Sequence, residues 1–342
     1  MFGASGYTGR LVAEYLAAEY AGSDLKWAMA GRSLDKLAAV RAEMGISDAV
    51  ELRLVDVDNP DSVTQMVDAC RVVITTVGPY QLYGDELVKQ CAERGTDYVD
   101  LTGEPIWMHA TIAQYSSSAK ASGARIVHSC GFDSIPFDLG VYGLQQHAIA
   151  KTGQPIATVK GRVRAMNGTF SGGTIASMRA TMASAKANPA IIQVLTNPFA
   201  LTEGFTGPEQ PAGMAPQYDE ELKSWSAPFI MAPINTKNIH RSNFLLGHQY
   251  GEDFRYDEML LTGDGDQGKA AADYVAKDDS VAKSDLQPGE GPTKKERENG
   301  NYDAIFAGET RDGELMISSV QGAVSYTHLR AHETRHALVC RL

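Results

Sequence analysis

The sequence predicts an α/β protein in two parts: a doubly wound parallel sheet with helices on both faces, then a second α+β domain. Three observations carry this. Short apolar segments alternate with amphipathic helical ones as far as residue 150. A glycine-rich turn, Gly3 to Gly9, opens the first helical segment. Beyond residue 150 the alternation gives way to longer strands, one long helix and polar, Pro/Gly-rich stretches. A length of 342 residues agrees with two domains of about 150 each. The first is set at 1–150 and the second at 151–323.

In the first domain, residues 26–31, 50–56, 71–77, 97–101 and 125–129 read as short buried strands. Leu11, Val12, Tyr15 and Leu16 form one helical stripe; Val63, Met66, Val67 and Cys70 form another. Pro60 suits the first turn of the second of these helices, and Gly95 suits a C-terminal cap. Repeated βα units impose parallel pairing, because each crossover returns the next strand in the same direction. A strand usually runs to about five or six residues. Only Met1 and Phe2 precede the glycine turn, which predicts a first strand cut short.

In the second domain, residues 156–166 alternate as a strand and 171–187 read as a helix entered through Gly172 and Gly173. Residues 197–233 show little periodicity. Residues 241–250 read as a strand, 263–301 as a polar surface excursion, and 301–306 with 314–320 as paired closing strands.

Lys and Arg number 31 against 42 Asp and Glu, a formal charge of −11. An acidic chain repels phosphate backbones, which argues against nucleic acid as the main partner. No apolar run reaches the roughly 18 residues of a transmembrane segment. No basic region followed by an apolar stretch marks a signal peptide, so a cytoplasmic location is expected. Cys70, Cys91 and Cys130 sit scattered in apolar neighbourhoods, as structural thiols of a reducing compartment do.

Residues 324–342 stand apart. Val324 to Thr334 and Leu338 to Leu342 resemble, in order, the conceptual translation of two sequencing adaptors flanking a barcode. The segment is read as a non-native tail that packs without specificity, and the chain as truncated at both ends. Its His332-Glu333-Thr334-Arg335-His336 spells a zinc-protease motif, but the chain ends before a third ligand, so no metal is expected.

Gly3-Ala4-Ser5-Gly6-Tyr7-Thr8-Gly9 has the G-x-x-G-x-x-G form of a nucleotide-binding turn. Glycines let backbone approach a pyrophosphate, and the helix start offers unbonded N–H groups and a positive dipole end. Ser5 and Thr8 add hydroxyl donors, and Tyr7 belongs to the same turn. Arg32, at the end of the second strand, suits the 2′-phosphate of NADP by bidentate pairing, where an acid would suit NAD. Ser33 beside it is a second phosphate donor or a helix N-cap. Asp56, closing the next strand, lies where the adenine belongs. Gly78 and Pro79 close the strand at which nicotinamide and substrate meet. These residues make the first domain a Rossmann-type NADP-binding domain.

Together with residues 3–9, the motifs Ala30-Gly31-Arg32-Ser33, Gly78-Pro79-Tyr80, Tyr98-Val99-Asp100-Leu101-Thr102-Gly103-Glu104 and Gly131-Phe132-Asp133-Ser134-Ile135-Pro136-Phe137-Asp138-Leu139-Gly140 resemble the saccharopine dehydrogenase-like oxidoreductases. The chain is most similar to their trans-acting enoyl reductase branch. That branch also accounts for Ser171 to Ser177, Ala232 to Thr236 and Tyr250 to Tyr256. The resemblance runs from Met1 to about Gly322. It implies an NADP-linked reductase of unsaturated acyl chains held by lipid-assembling synthases. The partner implied is a small acyl or lipid substrate, carrier-bound, and homo-oligomerisation stays open.

The cofactor performs the hydride chemistry; the protein orients and supplies a proton. Tyr80, Glu104 and Asp133, at three strand ends, are the candidate donors. Each has a structural alternative: Tyr80 as a stacking ring, Glu104 as a loop anchor, Asp133 as a helix cap. His128, inside an apolar strand, reads as a satisfied core histidine. Residues 263–270 nearly spell a P-loop, but Ala270 lacks the hydroxyl that holds magnesium. No Tyr-x-x-x-Lys pair supports a short-chain dehydrogenase. An amino-acid imine reductase remains an alternative, with Arg162, Arg164, Arg179, Arg241 and Arg255 to grip carboxylates. So does a non-catalytic NADP-binding protein. For a lipid, Phe199, Phe205, Trp225, Phe229 and Met231 are the candidate groove.

Overall fold

The computed structural model describes residues 1–188, 191–281 and 283–322, and 339–341 as backbone. The first part runs α1 (Tyr7–Glu19), β1 (Ala28–Gly31), α2 (Leu34–Glu43), β2 (Glu51–Leu54), α3 (Pro60–Asp68), β3 (Val72–Ile74), α4 (Tyr80–Tyr83), α5 (Asp85–Arg94), β4 (Asp97–Val99), α6 (Pro105–Ser122), β5 (Ile126–Val127) and α7 (Ile135–Thr152). All its strand pairs are parallel. The local signals act as their chemistry dictates. Asn59 caps α3 with Pro60 behind it, Ser33 caps α2, and Gly95 ends α5 in the left-handed region.

Met1 and Phe2 take the place of a first strand. Phe2 N–H donates to Ile74 O at 2.7 Å, and Thr76 N–H donates to Phe2 O at 3.1 Å. On the other flank Ala30 N–H donates to Met1 O at 2.8 Å, and Gly3 N–H to Ala30 O at 3.0 Å. Phe2 thus bridges β1 and the end of β3, giving the order β2-β1-Phe2-β3-β4-β5. One face carries Val63, Val67, Leu87, Cys91 and Trp107 of α3, α5 and α6. The other carries Ala13, Leu37 and Val40 of α1 and α2. The sheet is therefore doubly wound.

The second part continues with β6 (Thr158–Asn167), α8 (Gly172–Ala187), α9 (Ile191–Thr196), β7 (Gln217–Asp219), β8 (Ser224–Pro228), α10 (Ala232–Leu245), β9 (Arg255–Gly263), α11 (Gly265–Val275), α12 (Lys294–Asn299), β10 (Asn301–Glu309), β11 (Leu315–Gly322) and β12 (Val339–Arg341). Its strands form one mixed sheet, β12-β11-β10-β6-β9-β8-β7, in which only β6 and β9 pair in parallel. Phe137, Val141 and Leu144 of α7 are buried with Val163, Ile239 and Phe306. A Cβ on Gly140 would lie 2.0 Å from the Phe306 ring, so α7 sits tight on this sheet. The packing boundary therefore precedes α7 rather than falling at residue 150. The helix after β5 turns its apolar side to the second sheet.

Three expectations need correction. Residues 241–245 end α10 instead of forming a strand; buried Asn235, Ile239, His240 and Asn243 follow helical spacing, which their polar members concealed. The strand lies later, as β9, where buried Asp257 and Glu258 hid the apolar signal. The excursion from 263 carries α11 and α12. In the tail, the backbone of Val339–Arg341 pairs with Ile317 to Ser319, so this piece has a defined register. An open sheet edge accepts any extended backbone, whatever its side chains. The rest of the tail, its zinc-protease spelling included, lies outside the described residues.

Phe2 is 2% exposed, and its replacement leaves a cavity where the half-sheets join. Phe2→Ala is expected to cost about 3–5 kcal/mol in urea unfolding, the range for a buried aromatic. Leu54→Ala, at a position 59% exposed, is expected to cost under about 0.5 kcal/mol.

Candidate active site

The glycine turn sets its groups by sterics. Gly3 has φ near +85°, and a Cβ there would come within 2.8 Å of Val77. A Cβ on Gly9 would lie 2.0 Å from Gly3 O, so only glycine lets α1 start this close. Gly6, the N-cap, supplies no side-chain bond to the first helical N–H groups. The helix start thus turns its positive dipole end to the carboxyl edge of the sheet, a cradle that fits a pyrophosphate. Ser5 Oγ faces Gly31, 3.6 Å from where a Cβ would stand. Thr8 lies half-buried in the first turn of α1. The Tyr7 hydroxyl donates across to Pro292 O.

Arg32 follows β1 directly, is exposed, and has no hydrogen-bond or ion-pair partner among the described residues. Ser33 caps α2 by accepting from Lys36 N–H at 3.3 Å, which leaves its hydroxyl proton for a phosphate oxygen. Asp56 follows β2 and accepts from Asp58 N–H at 3.2 Å. Gly78, exposed, and Pro79, half-buried, end the β3 segment beside α8; Ser177 Oγ lies 3.7 Å from where a Gly78 Cβ would stand.

Two of the three candidate donors prove to be structural. Tyr80 is 3% exposed, its ring stacked on Trp107 at 5.4 Å, and its hydroxyl donates inward to Thr75 O at 3.2 Å. Burial pushes its ionisation up further, with Asp100 adding to the effect. The Glu104 carboxylate is buried and accepts three bonds: Tyr80 N–H at 2.8 Å, Gln81 N–H at 2.9 Å and Ser177 Oγ–H at 2.7 Å. An acceptor saturated this way anchors the turn at Tyr80 and ties it to α8. Thr181 and Ser184, on the same face of α8, bond Gln81 at 3.4 and 2.8 Å. This hydroxyl stripe was legible as helical spacing, but its partner was not.

Asp133 is the remaining candidate. It lies half-buried in the loop after β5, its Oδ1 against Gly131, and burial pushes its carboxyl up to about 6. The loop is tied to the second domain. Asn235 Nδ2 donates to Asp133 O at 2.9 Å and to Glu258 Oε1 at 2.8 Å, while Tyr256 Oη donates to Glu258 Oε2 at 2.9 Å. Glu258 is 1% exposed, and burial pushes it up to about 8 against the pull of those two bonds. His128 is satisfied, with Nδ1 2.7 Å from Asp100 Oδ2 and Nε2 3.3 Å from Thr111 Oγ1.

The arginines that suited carboxylate recognition are committed. Arg162 is buried against Asp219 and Asp257, and Arg164 pairs with Asp303. Arg179, Arg241 and Arg255 donate to the carbonyls of Ser284, Leu201 and Glu209. The aromatic groove is likewise spent in part: Phe229 is 4% exposed and packs on Phe137. The near-P-loop starts α11 with Asp264 as N-cap and Asp266 in the first turn, two carboxylates that repel a phosphate.

Residues 1–127 match the saccharopine dehydrogenase NADP-binding domain. A relative from Mycobacterium tuberculosis is 39% identical over 328 residues, covering 88% of this chain and 78% of its own. The trans-acting enoyl reductases of Mycobacterium bovis and Mycobacterium ulcerans are 34% and 33% identical, with the same two coverages of 88% and 78%. The chain belongs to the trans-acting enoyl reductase family. Among solved structures, apo saccharopine dehydrogenase (L-Glu forming) from Saccharomyces cerevisiae aligns over 96% of this chain and 87% of that one, at 12% identity and a TM-score of 0.48. Among the described residues, no helix of this family member is long and apolar enough to cross a membrane.

The raised carboxyls predict a pH dependence. Where the folded-state pKa exceeds the unfolded one, the folded state binds more protons between the two values, so stability falls as pH rises through that window. For Glu258 the window runs from 4.5 to about 8. The urea midpoint of the unaltered chain is expected to drop across it. Glu258→Gln, which keeps acceptor and donor atoms in place, is expected to flatten the drop; an unchanged slope would assign it to other groups.

Proposed function

We propose that this chain is an NADPH-dependent enoyl reductase acting on an unsaturated acyl thioester, with Arg32 selecting the cofactor and Asp133 giving the proton. The observation that carries the reading is the carboxyl edge of the first sheet. An uncapped helix start, a partner-free arginine after β1 and a half-buried acid after β5 follow strand ends there, suited respectively to pyrophosphate, 2′-phosphate and reacting end. The identity with trans-acting enoyl reductases supports the substrate class.

When bound, NADPH supplies hydride to the β-carbon of the acyl chain. The chain's own residues do the rest. The turn from Gly3 to Gly9 holds the pyrophosphate, and Ser5, Thr8 and Ser33 supply hydroxyl donors. Arg32 and Asp56 flank the adenosine end. Gly78 and Pro79 border the reacting end, held in place through Glu104. Asp133 delivers a proton to the α-carbon, and its burial keeps that proton bound closer to neutral pH than an exposed aspartate would. The imine-reductase alternative loses support because Arg162 and Arg164 are paired with carboxylates of the chain and Arg179, Arg241 and Arg255 are engaged by backbone carbonyls. Carrier binding, a cytoplasmic location and a homo-oligomer remain compatible with this reading.

Two measurements test it. NADPH oxidation with an enoyl thioester should be lowered by Asp133→Asn about 10²- to 10⁴-fold in kcat, with NADPH affinity unchanged. No turnover by the unaltered chain would favour the non-catalytic reading. In fluorescence titration, Arg32→Ala should weaken NADPH about 10- to 150-fold and leave NADH unaltered, the range of a charge-assisted contact of about 1.5–3 kcal/mol. Equal weakening of both cofactors would make Arg32 a structural residue.

A further inference from the structure

We propose that the segment from Gln287 to Arg297, contributed by the second domain, is a clasp over the pyrophosphate end of the dinucleotide site, with Arg297 as a phosphate contact; the inference rests on the NADP reading above. The clasp is seated on both sides. Tyr7, the first residue of α1, donates its hydroxyl to Pro292 O at 2.5 Å. Gly291 lies against the Tyr7 ring, where a Cβ would come within 2.5 Å of ring carbons. On the other side Gly172, opening α8, donates its N–H to Glu290 O at 3.0 Å, and a Cβ there would lie 1.8 Å from Gln287 O. Side chains at Gly172 and Gly291 would lift the segment off, so its course across the glycine turn is specified by sequence.

Arg297 is delivered by local chemistry. Thr293 and Glu296 form a capping box that fixes the first turn of α12. The next residue, Arg297, then points its Nη1 to Pro292 O at 3.1 Å and to Tyr7 Oη at 3.4 Å. Its Nε is buried without a hydrogen-bond partner, and no carboxylate pairs with it among the described residues. A half-buried guanidinium thus stands beside the first residue of a helix whose positive end lacks a side-chain cap. The guanidinium stands 3.4 Å from the Tyr7 hydroxyl with no carboxylate among the described residues to balance its charge, which calls for an anion. A pyrophosphate supplies it, and the planar fork of the guanidinium matches phosphate oxygens.

The test uses the full chain and fluorescence titration with NADPH and with NADH. The pyrophosphate is common to both, so Arg297→Ala should weaken the two by the same factor, about 10- to 150-fold. Arg32→Ala, in contrast, should weaken NADPH alone. Tyr7→Phe keeps the ring and loses the bond to Pro292, and should speed NADPH dissociation about 2- to 10-fold. An Arg297→Ala variant within about two-fold of the unaltered affinities overturns the clasp and leaves the NADP reading intact. Weakening of NADPH alone overturns it too, because Arg297 would then serve the 2′-phosphate. Should Arg297→Ala not fold, trypsin digestion of the unaltered chain decides. NADPH should slow cleavage after Lys294 and Lys295, and no slowing overturns the clasp. A chain that binds neither cofactor overturns both readings.

Discussion

Phe2 is bonded on both flanks, to Ile74 and Thr76 on one side and, through Met1 and Gly3, to Ala30 on the other, with its ring buried. Without it β1 and β3 would belong to two separate parallel sheets, because no other described residue pairs across the gap. Its geometry propagates directly. The next residue, Gly3, must turn in the left-handed region, Gly9 must lack a Cβ, and α1 then starts against the carboxyl edge. Arg32, Gly78 and Glu104 all lie in segments that follow the carboxyl ends of β1, β3 and β4, because these strands run parallel. A central parallel strand is buried on both faces, so the chain tolerates little change here.

The second constraint is the attachment of the second domain. Glu104 is a buried carboxylate whose three donors come from Tyr80, Gln81 and Ser177, two from the NADP-binding side and one from α8. Hydrogen bonds to a charged group contribute about 1.5–3 kcal/mol each, but a buried carboxylate also loses its hydration, so the net effect is mainly one of geometry. If Ser177 or either backbone donor moves, a buried lone pair is left unmet. Separating α8 from the turn at Tyr80 is therefore costly.

The acids of the site divide by environment. Glu104 is surrounded by donors, whereas Asp133 and Glu258 have burial working against ionisation. Asn235 joins the latter pair by donating to the backbone of one and the carboxyl of the other. The position of the Asp133 loop thus depends on the core of the second sheet, through Tyr256 on β9. The loop after β5 is thereby tied to α10 and β9.

The order of the βα units, the glycine turn, the exposed Arg32 and the closing strands were legible in the sequence, since each rests on local chemistry: apolar periodicity, a steric need for glycine, or a cap. Cap residues such as Ser33 and Asn59 act within a few residues and need no tertiary partner. What stayed hidden were elements whose buried faces are polar. Arg162, Asp257, Glu258, Asn235 and His240 carry no apolar signal, and their burial emerges only when partners distant in sequence are brought in to satisfy them. The same holds for roles. Tyr80, Glu104 and Asp133 are equivalent strand-end candidates in the sequence. Only the tertiary structure separates them, by turning the Tyr80 hydroxyl inward, surrounding Glu104 with donors and setting the Asp133 carboxyl against Gly131, because long-range packing decides which side chain meets which partner.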